Sequence, residues 1–570
     1  MRAFLRVALV GAAVWAVGTF LPKTAQACGG FFCNSAQPVN QAAEGIIFAD
    51  NGDGTTTAVI QIQYQGPSQN FSWLLPISSV PKSDEIAIAS NVAFQRLQSA
   101  TNPSYNLTTR IEGTCRDSGG DESGCGSSND NGRSFASGPG GAQADPSVPE
   151  VVVEAAGVVG AFEWSVISLD KTSLDPAGAA EEWLKANGYD VPSSAPALLG
   201  PYLKQGMFLL ALRLTKGADT GSIRPIVLTY AGTQPSIPVK LTAVAANDDM
   251  GVLTWVLGKS RAVPANYLSL ELNEARINWF NAASNYNSVV IEAANDAGGQ
   301  GFVTELAGPS NALAAQIWTF NDASNWSNLN QPSSLTGSAL FQRAQQFFGQ
   351  WDGFWDATRA TVQLPEGHSF DELKACTGCF TVQLSSADFL AALYEQVIEP
   401  VKRVQDLVDR HPQITRLYTT LSADEMTLDP LFGFNQDLPD VSNVHTAERV
   451  IACNSGVYPF EAPWHVELPQ GGAVWGTGDD AASGTWPSEL GSLPPNRVIA
   501  RVAESGQGQV LEDNSAKIAS ELARLGSGKS APASAGGGCA AGRGRSRGAW
   551  AAAAVLAAAL LRRRRRLQRR

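Results

Sequence analysis

The stretch Glu44–Gly66, EGIIFADNGDGTTTAVIQIQYQG, carries the first decision about the fold. Ala58, Ile60, Ile62 and Tyr64 alternate with Val59, Gln61 and Gln63, the period of two expected of a strand with one buried face. The run is preceded by Asp50-Asn51-Gly52-Asp53-Gly54, and Asn-Gly between apolar runs is a strong hairpin signal. The same Asp and Asn residues suggest a calcium loop, but no bidentate Glu follows where such a loop needs one, so the turn is the preferred reading.

Working outward, more strands follow at short spacing. Val151 onward regains strand character, and Val158–Leu169 is apolar and β-rich. Met207–Leu214, Ile226–Tyr230, Pro238–Ala245 and Leu253–Leu257 read as strands separated by turns. Ile86–Leu97 reads as an amphipathic helix, and Asp175–Asn187 as another, with Pro176 in its first turn and Gly188 as its stop. Ser386–Arg410 is the clearest long helix. Ser385 with Asp388 makes a capping-box pattern, and Leu390, Leu393, Val397, Val401, Val404 and Val408 recur at three and four. Pro400 predicts a kink in it. The chain is therefore expected to be α+β, with mostly antiparallel β in the N-terminal half and helical elements in the C-terminal half.

Composition bounds what such a chain can be. Its 570 residues exceed one compact core, and 44% apolar with only 16% charged residues excludes a mainly disordered chain. The net charge of −12 argues against a nucleic-acid partner. The charge is unevenly placed. Of 41 basic residues, three lie in 1–27 and ten in 539–570, where there are no acids; the body, 28–538, keeps 28 against 53 acids, a net −25.

Both ends read as addresses. Arg2 and Arg6, an apolar run from Val7 to Leu21, and Ala25-Gln26-Ala27 form a secretory signal, residues 1–27, with cleavage between Ala27 and Cys28. Cysteine directly after the cut raises a lipoprotein alternative, which the polar Gln26 and the missing Leu fit poorly. At the other end, 526–538 is a flexible Gly/Ser/Ala linker and 539–570 a tag: Cys539, a short apolar segment 549–561, then Arg562, Arg563, Arg564, Arg565 and Arg566. Thirteen helical residues span about 20 Å, short of a bilayer core of about 30 Å, so the segment suits a transient tether, its arginines held in the cytoplasm. A plain tail anchor is the alternative.

The exported region, 28–525, reads as one domain or as two sub-domains, a β-rich 28–270 and a more helical 271–525, with a Gly/Ser/Asp/Asn-rich disordered loop over 113–149. Its seven cysteines, Cys28, Cys33, Cys115, Cys125, Cys376, Cys379 and Cys453, are disulfide candidates in an oxidising compartment. Proximity suggests Cys28 with Cys33, Cys115 with Cys125 and Cys376 with Cys379, leaving Cys453 single; other pairings are equally legal. Cys376-Thr377-Gly378-Cys379 also permits a redox dithiol, or a zinc site completed by Cys453 and His368. Asn278, Asn281, Asn285 and Asn287 around Trp279 and Phe280, followed by Trp318, Trp326, Trp351 and Trp355, suit either a sugar-stacking face or a packed core with capped helices.

No GxSxG, HExxH, P-loop or Rossmann motif is present, and only His368, His411, His445 and His465 supply imidazoles. No catalytic residue, cofactor or metal ligand is assigned.

Four stretches stand out: Cys28-Gly29-Gly30-Phe31-Phe32-Cys33; Phe71-Ser72-Trp73-Leu74-Leu75-Pro76; Trp183-Leu184 with Asn187-Gly188-Tyr189; and Thr415–Ser422 followed by Glu425-Met426-Thr427-Leu428-Asp429-Pro430. Together they resemble the bacterial family known as domain of unknown function 2330, and the C-terminal tag resembles the myxobacterial-type sorting domain. The first resemblance implies an exported envelope protein and brings no catalytic residues with it. The second implies processing near Cys539 and delivery to the cell surface. Physically, Trp73–Pro76 reads as a buried strand end closed by proline, Asp429-Pro430 as a turn start, and Arg416 as a partner of Glu425 or Asp429 in a buried ion pair.

The expected protein is exported, surface-anchored and non-enzymatic, a binding or structural component of the envelope. Its expected partners are the membrane through the tail, a sorting or processing protease, and an envelope polymer or protein. The alternative is a secreted, glycan-acting hydrolase, which would show two carboxylates about 5–9 Å apart in a deep pocket.

Overall fold

The computed structural model describes residues 41–61, 72–116, 151–169, 175–189, 191, 195–215, 223–243, 246–331, 335–453, 457–478 and 484–527. The signal region with Ala27, Cys28 and Cys33, the loop beyond residue 116 with Cys125, and the linker beyond 527 lie outside the described residues, as does the tag with Cys539 and Arg562 to Arg566.

The opening hairpin forms, although Thr56–Ile60 of its second strand is buried on both faces rather than one, and Ile62 and Tyr64 lie outside the described residues. β1 (Gln41–Asp50) pairs antiparallel with β2 (Thr55–Gln61), Ile47 standing opposite Val59. The turn uses its polar side chains on itself. Asp50 Oδ1 accepts from Gly52 N at 3.0 Å, Asp53 Oδ1 from Thr55 N at 2.9 Å, and Asn51 Nδ2 donates to Thr55 Oγ1 at 2.9 Å.

This hairpin sits inside a ten-stranded sheet. Its order is β22 (Gln509–Asp513), β21 (Asn496–Arg501), β12 (Leu268–Leu272), β13 (Gly301–Pro309), β16 (Gln413–Leu421), β10 (Ala246–Gly258), β1, β2, β9 (Ile226–Ala231) and β4 (Ile86–Ile88). Pairing is antiparallel except between β1 and β10 and between β12 and β13. Residues 28–270 and 271–525 both supply strands to this sheet, so the two expected halves are interleaved rather than side by side.

A second, wholly antiparallel sheet runs β3 (Ser72–Ile77), β8 (Phe208–Leu214), β7 (Phe162–Leu169), β6 (Val151–Val159). A third runs β20 (Ala473–Gly476), β19 (Trp464–Glu467), β18 (Val444–Cys453), β5 (Ser104–Gly113), with β18 and β5 parallel. Two short pairs complete the strands: β11 (Arg261–Pro264) with β17 (Phe432–Asn435), and β14 (Val362–Gln363) with β15 (Gln383–Leu384).

The helices are α1 (Asn91–Thr101), α2 (Pro176–Ala186), α3 (Ala195–Lys204), α4 (Val239–Thr242), α5 (Tyr286–Asp296), α6 (Asn311–Ile317) and α7 (Phe320–Leu329). After them come α8 (Gly337–Phe348), α9 (Phe354–Thr361), α10 (Phe370–Ala375), α11 (Ser386–Leu393), α12 (Glu399–Arg410) and α13 (Ser515–Gly526). Strand alternation decides how these pack. On β1, Ile47 and Ala49 face a helical layer built from α1, α6, α8, α9, α11 and α12, while Ile46 and Phe48 face the second sheet. In the second sheet, Trp73, Leu75, Leu210 and Leu212 meet Ile46 and Phe48, while Leu74, Leu209 and Ala211 pack on α2 and α3. The result is four layers: helices, ten-stranded sheet, second sheet, helices. The third sheet closes a separate core with α5 and α13. The protein is thus α+β, richer in strands before residue 270 and in helices after it.

Several expectations change. The helix expected at Ile86–Leu97 begins only at Asn91, capped by Ser90, because Ile86–Ile88 completes the sheet edge against β9. The strand expected at Pro238–Ala245 does not form over its described residues, 238–243. Pro238 caps the short helix α4, whose Lys240 N donates to Asp429 Oδ1 at 3.1 Å. The long helix is interrupted by a π turn, Tyr394–Ile398, just before Pro400, which cannot donate to the Gln396 carbonyl. Gly353, at φ +85°, lies against that carbonyl so closely that a Cβ would come within 2.1 Å of it.

The disulfides also differ from proximity. Cys115 is joined not to Cys125 but to Cys453, 338 residues away, so Cys453 is not single. The cause is the parallel pairing of β5 with β18, which sets Gly113 opposite Cys453 and runs both chain ends out together. The first residues of the expected loop are accordingly held, Arg116 N donating to the Val457 carbonyl at 2.9 Å. Cys376 and Cys379 are bonded to each other.

Candidate functional site

A cavity of about 500 Å³ opens between the ten-stranded sheet and the second sheet. Its apolar wall follows from the alternation already described. Ile46 and Phe48 of β1, Ala58 and Ile60 of β2, and Trp73 and Leu75 of β3 all point between the sheets. Pro76 is accommodated because β3 is an edge strand, where a missing N–H costs no ladder bond.

The polar end is assembled from three distant segments. α3 brings Tyr202, α4 brings Lys240, and the chain before β17 brings Asp429. Tyr202 donates its hydroxyl to Asp429 Oδ2 at 2.7 Å, and the Lys240 ammonium lies 3.9 Å from the same oxygen. Asn266 Nδ2 donates to the Asp429 carbonyl at 2.7 Å and its Oδ1 accepts from Leu431 N at 2.7 Å, fixing the segment. Burial first, and the Asp429 charge second, push the Tyr202 phenol well above its ordinary value. Tyr230, at the end of β9, also lines the cavity, and burial alone raises its phenol. The turn expected to start at Asp429-Pro430 instead precedes it, at residues 423–428; Asp429 and Pro430 run alongside residues 235–237, Ile237 N donating to the Pro430 carbonyl at 3.2 Å.

The other sequence candidates are structural in their contacts. Arg416 does not pair with Glu425 or Asp429; its Nε donates to Glu305 Oε2 at 2.5 Å in the core. Glu425 instead accepts from Ser422 N at 2.7 Å. Trp279 is buried and donates to the Glu274 carbonyl at 3.0 Å. Asn278 Oδ1 caps its own turn through Phe280 N at 3.1 Å, Asn285 Nδ2 donates to the Arg276 carbonyl at 2.8 Å, and Asn287 Oδ1 accepts from Tyr418 at 2.7 Å. Trp318, Trp326, Trp351 and Trp355 pack against the helical core. These residues therefore pack and cap rather than present a sugar-stacking face.

The zinc set dissolves because each sulfur is bonded elsewhere, Cys376 to Cys379 and Cys453 to Cys115, and because His368 Nδ1 meets Glu372 at 3.1 Å. Cys376 caps the C-terminus of α10, the end that disfavours thiolate. His411 links the end of α12 to β1 through Asp50 O at 3.0 Å, His445 meets Glu274 at 2.6 Å, and His465 stacks on Trp475. None of the four imidazoles lines the cavity. Among the described residues no cluster of three His, Cys, Asp or Glu is placed to hold a metal. Nor is any helix among them long and apolar enough to cross a membrane; the expected segment 549–561 lies outside them.

Sequence reading missed Tyr202, Tyr230, Lys240 and Asn266, which carry no motif. Trp73 was expected only as part of a buried strand end, and Asp429 only as a turn start or a partner of Arg416; the structure brings those two stretches to one cavity.

Fold and cavity together define a double-sheet α+β protein with an internal, mostly apolar site. The family described as an uncharacterized protein conserved in bacteria, DUF2330, matches residues 22–313, just over half of the chain. The chain belongs to that family. The match ends inside α6, so it omits β16, which lies between β10 and β13 at the centre of the main sheet. No curated protein matches the chain. Two crystal structures of a mutated baculovirus P35 after caspase cleavage, at 3.1 and 2.7 Å resolution, are 11% identical. They cover 41% of this chain and 78% and 76% of their own, with a TM-score of 0.22 in each case, too low to carry an argument.

Proposed function

We propose that the chain is an exported bacterial envelope protein, held at the cell surface at least transiently by its C-terminal tag, and that its body binds a small apolar molecule. The observation that carries the binding reading is the cavity of about 500 Å³ between the two sheets. Its size and largely apolar lining, with a few convergent polar groups, match what small-molecule sites require. Export is supported by the signal-like residues 1–27, and by the Cys115–Cys453 and Cys376–Cys379 bonds, which suit an oxidising compartment. Surface tethering is supported by the order of Cys539, apolar segment and arginine block. The partners in this reading are the membrane, a processing protease near Cys539, and an envelope component.

The hydrolase alternative gains less support. Glycoside hydrolysis needs two facing carboxylates, and Asp429 is the one carboxylate among the described residues lining the cavity. Both its oxygens already accept hydrogen bonds, from Tyr202 and from Lys240 N.

The test is protein recovered from the cell without detergent, denatured in organic solvent and assayed for released small molecules by mass spectrometry. A stoichiometric apolar compound supports the reading. A protein that releases nothing and whose melting curve is insensitive to every apolar compound offered overturns the binding part. Full-length, unclipped chain in the cytosol with every cysteine reduced overturns the export part.

A further inference from the structure

Around Asp429 the acceptors at the polar end of the cavity are committed: Asp429 Oδ2 to the Tyr202 hydroxyl, Asp429 Oδ1 to Lys240 N, and Asn266 Oδ1 to Leu431 N. Gln61 is also engaged, donating to Asn91 Oδ1 at 3.0 Å, and Ser78 donates to the Ala231 carbonyl at 2.5 Å. Two donors remain. The Tyr230 hydroxyl has no hydrogen-bond partner among the described residues. The Lys240 ammonium stands 3.9 Å from Asp429, beyond hydrogen-bond reach, with about a third of its side chain exposed. Donors at the edge of a largely apolar cavity suit a ligand with an apolar body and oxygen acceptors. Much of the remaining wall, including Phe48, Ile60, Trp73 and Leu75, is carbon, with Gln205, Thr233, Gln234 and Ser236 adding polar side chains at its rim.

We infer that the cavity takes an acyl chain, its hydrocarbon lying between the sheets and its carbonyl or carboxylate oxygens accepting from Tyr230 and Lys240. This rests on the reading of the cavity as a binding site and names the class of molecule it holds. Two sources share that chemistry, a free fatty acid and an acyl ester, and they differ in what they ask of Lys240. A carboxylate pairs with the ammonium; an ester carbonyl needs mainly the phenol.

Calorimetric titration of the purified, detergent-free full-length protein with decanoate, methyl decanoate and decane separates these cases. The inference expects decanoate or the ester to bind more tightly than decane. Tyr230→Phe should weaken whichever oxygenated probe binds by about fivefold, the worth of one hydrogen bond, and leave decane unchanged. Lys240→Met should weaken decanoate by at least about fivefold and leave the ester nearly unaffected. Melting curves of both variants matching the parent establish that the fold is retained. Decane binding as tightly as the oxygenated probes, with both variants silent, overturns the acyl inference and leaves the apolar cavity reading standing. Binding of none of the three overturns both.

Discussion

Arg416 shows how much one residue's meaning depends on what surrounds it. Arg416 is 4% exposed and Glu305 is 3% exposed. Besides the 2.5 Å bond to Glu305, Arg416 Nη1 donates to Thr101 Oγ1 at 2.9 Å, and Tyr286 donates to Glu305 Oε1 at 2.5 Å. Burial pushes the Glu305 carboxyl upward, and Arg416 opposes the shift. Arg416→Ala should therefore lower the unfolding free energy by about 3–5 kcal/mol in urea titrations, because it strands a buried carboxylate. The paired Arg416→Met, Glu305→Leu variant should lose far less, since it removes both charges. A silent Arg416→Ala would show the pair to be irrelevant to stability. Arg96 and Asp322 give a pH signature. Burial acts to raise the Asp322 carboxyl, but hydrogen bonds from Arg96 at 2.6 Å and from Thr319 outweigh it and hold the group below its ordinary 3.8. A depressed carboxyl contributes its stability fully above the unfolded value and loses it as pH falls through the folded one. Arg96→Ala should thus cost about 1–3 kcal/mol at neutral pH, and the gap to the parent should shrink as the pH drops below about 4. A gap independent of pH would assign the effect to lost packing of Arg96 against Trp351 instead.

Among the elements, β5 and β18 depend on a bond that neither contains in its sequence pattern. Their strands run parallel from Ser104 opposite Val444 to Gly113 opposite Cys453, and Cys115–Cys453 locks the open end with Cα atoms 4.9 Å apart. Gly113 adopts φ +83° there, and a Cβ would come within 2.2 Å of the Cys453 carbonyl, so the chain can leave the strand only through glycine. Replacing both cysteines by serine should cost about 2–5 kcal/mol, read as an earlier denaturant midpoint. Non-reducing peptide mapping that joins Cys115 to Cys125 would refute the pairing itself. The period-two and period-three-to-four patterns located part of the fold: the hairpin at 50–54, the helix stopped at Gly188, and the strands at 207–214 and 226–230 all form close to where they were expected. Of the strand expected at Pro238–Ala245, residues 238–243 form none; Lys240 N there donates to the Asp429 carboxylate instead, a contact that crosses 189 residues. The single long helix became α11, a π turn and α12 because Pro400 removes one donor, a break that is local and was legible, though not its π geometry.

At the scale of the whole molecule, the main sheet is assembled out of chain order. β16 pairs with β10 on one side and β13 on the other, so the middle of the sheet waits for residues 413–421. A chain ending at residue 313, where the family match stops, should fail to fold: it should show rapid proteolysis throughout and no cooperative melting transition. Cooperative unfolding of that fragment would show that the first half is an independent unit after all.

The amino-acid sequence alone determined the class of fold, the positions of several strands and helices, and the uneven charge that sets acidic body apart from basic ends. These are local properties: alternation, capping, turn chemistry and composition act within a few residues of one another. The pairing of Cys115 with Cys453, the Arg416–Glu305 contact and the cavity that gathers Trp73, Tyr202, Tyr230, Lys240 and Asp429 were decided by the tertiary structure. Each joins segments separated by tens to hundreds of residues, and which distant segments meet is set by how two stacked sheets and their helical layers bury their apolar faces together, a choice that no local pattern encodes.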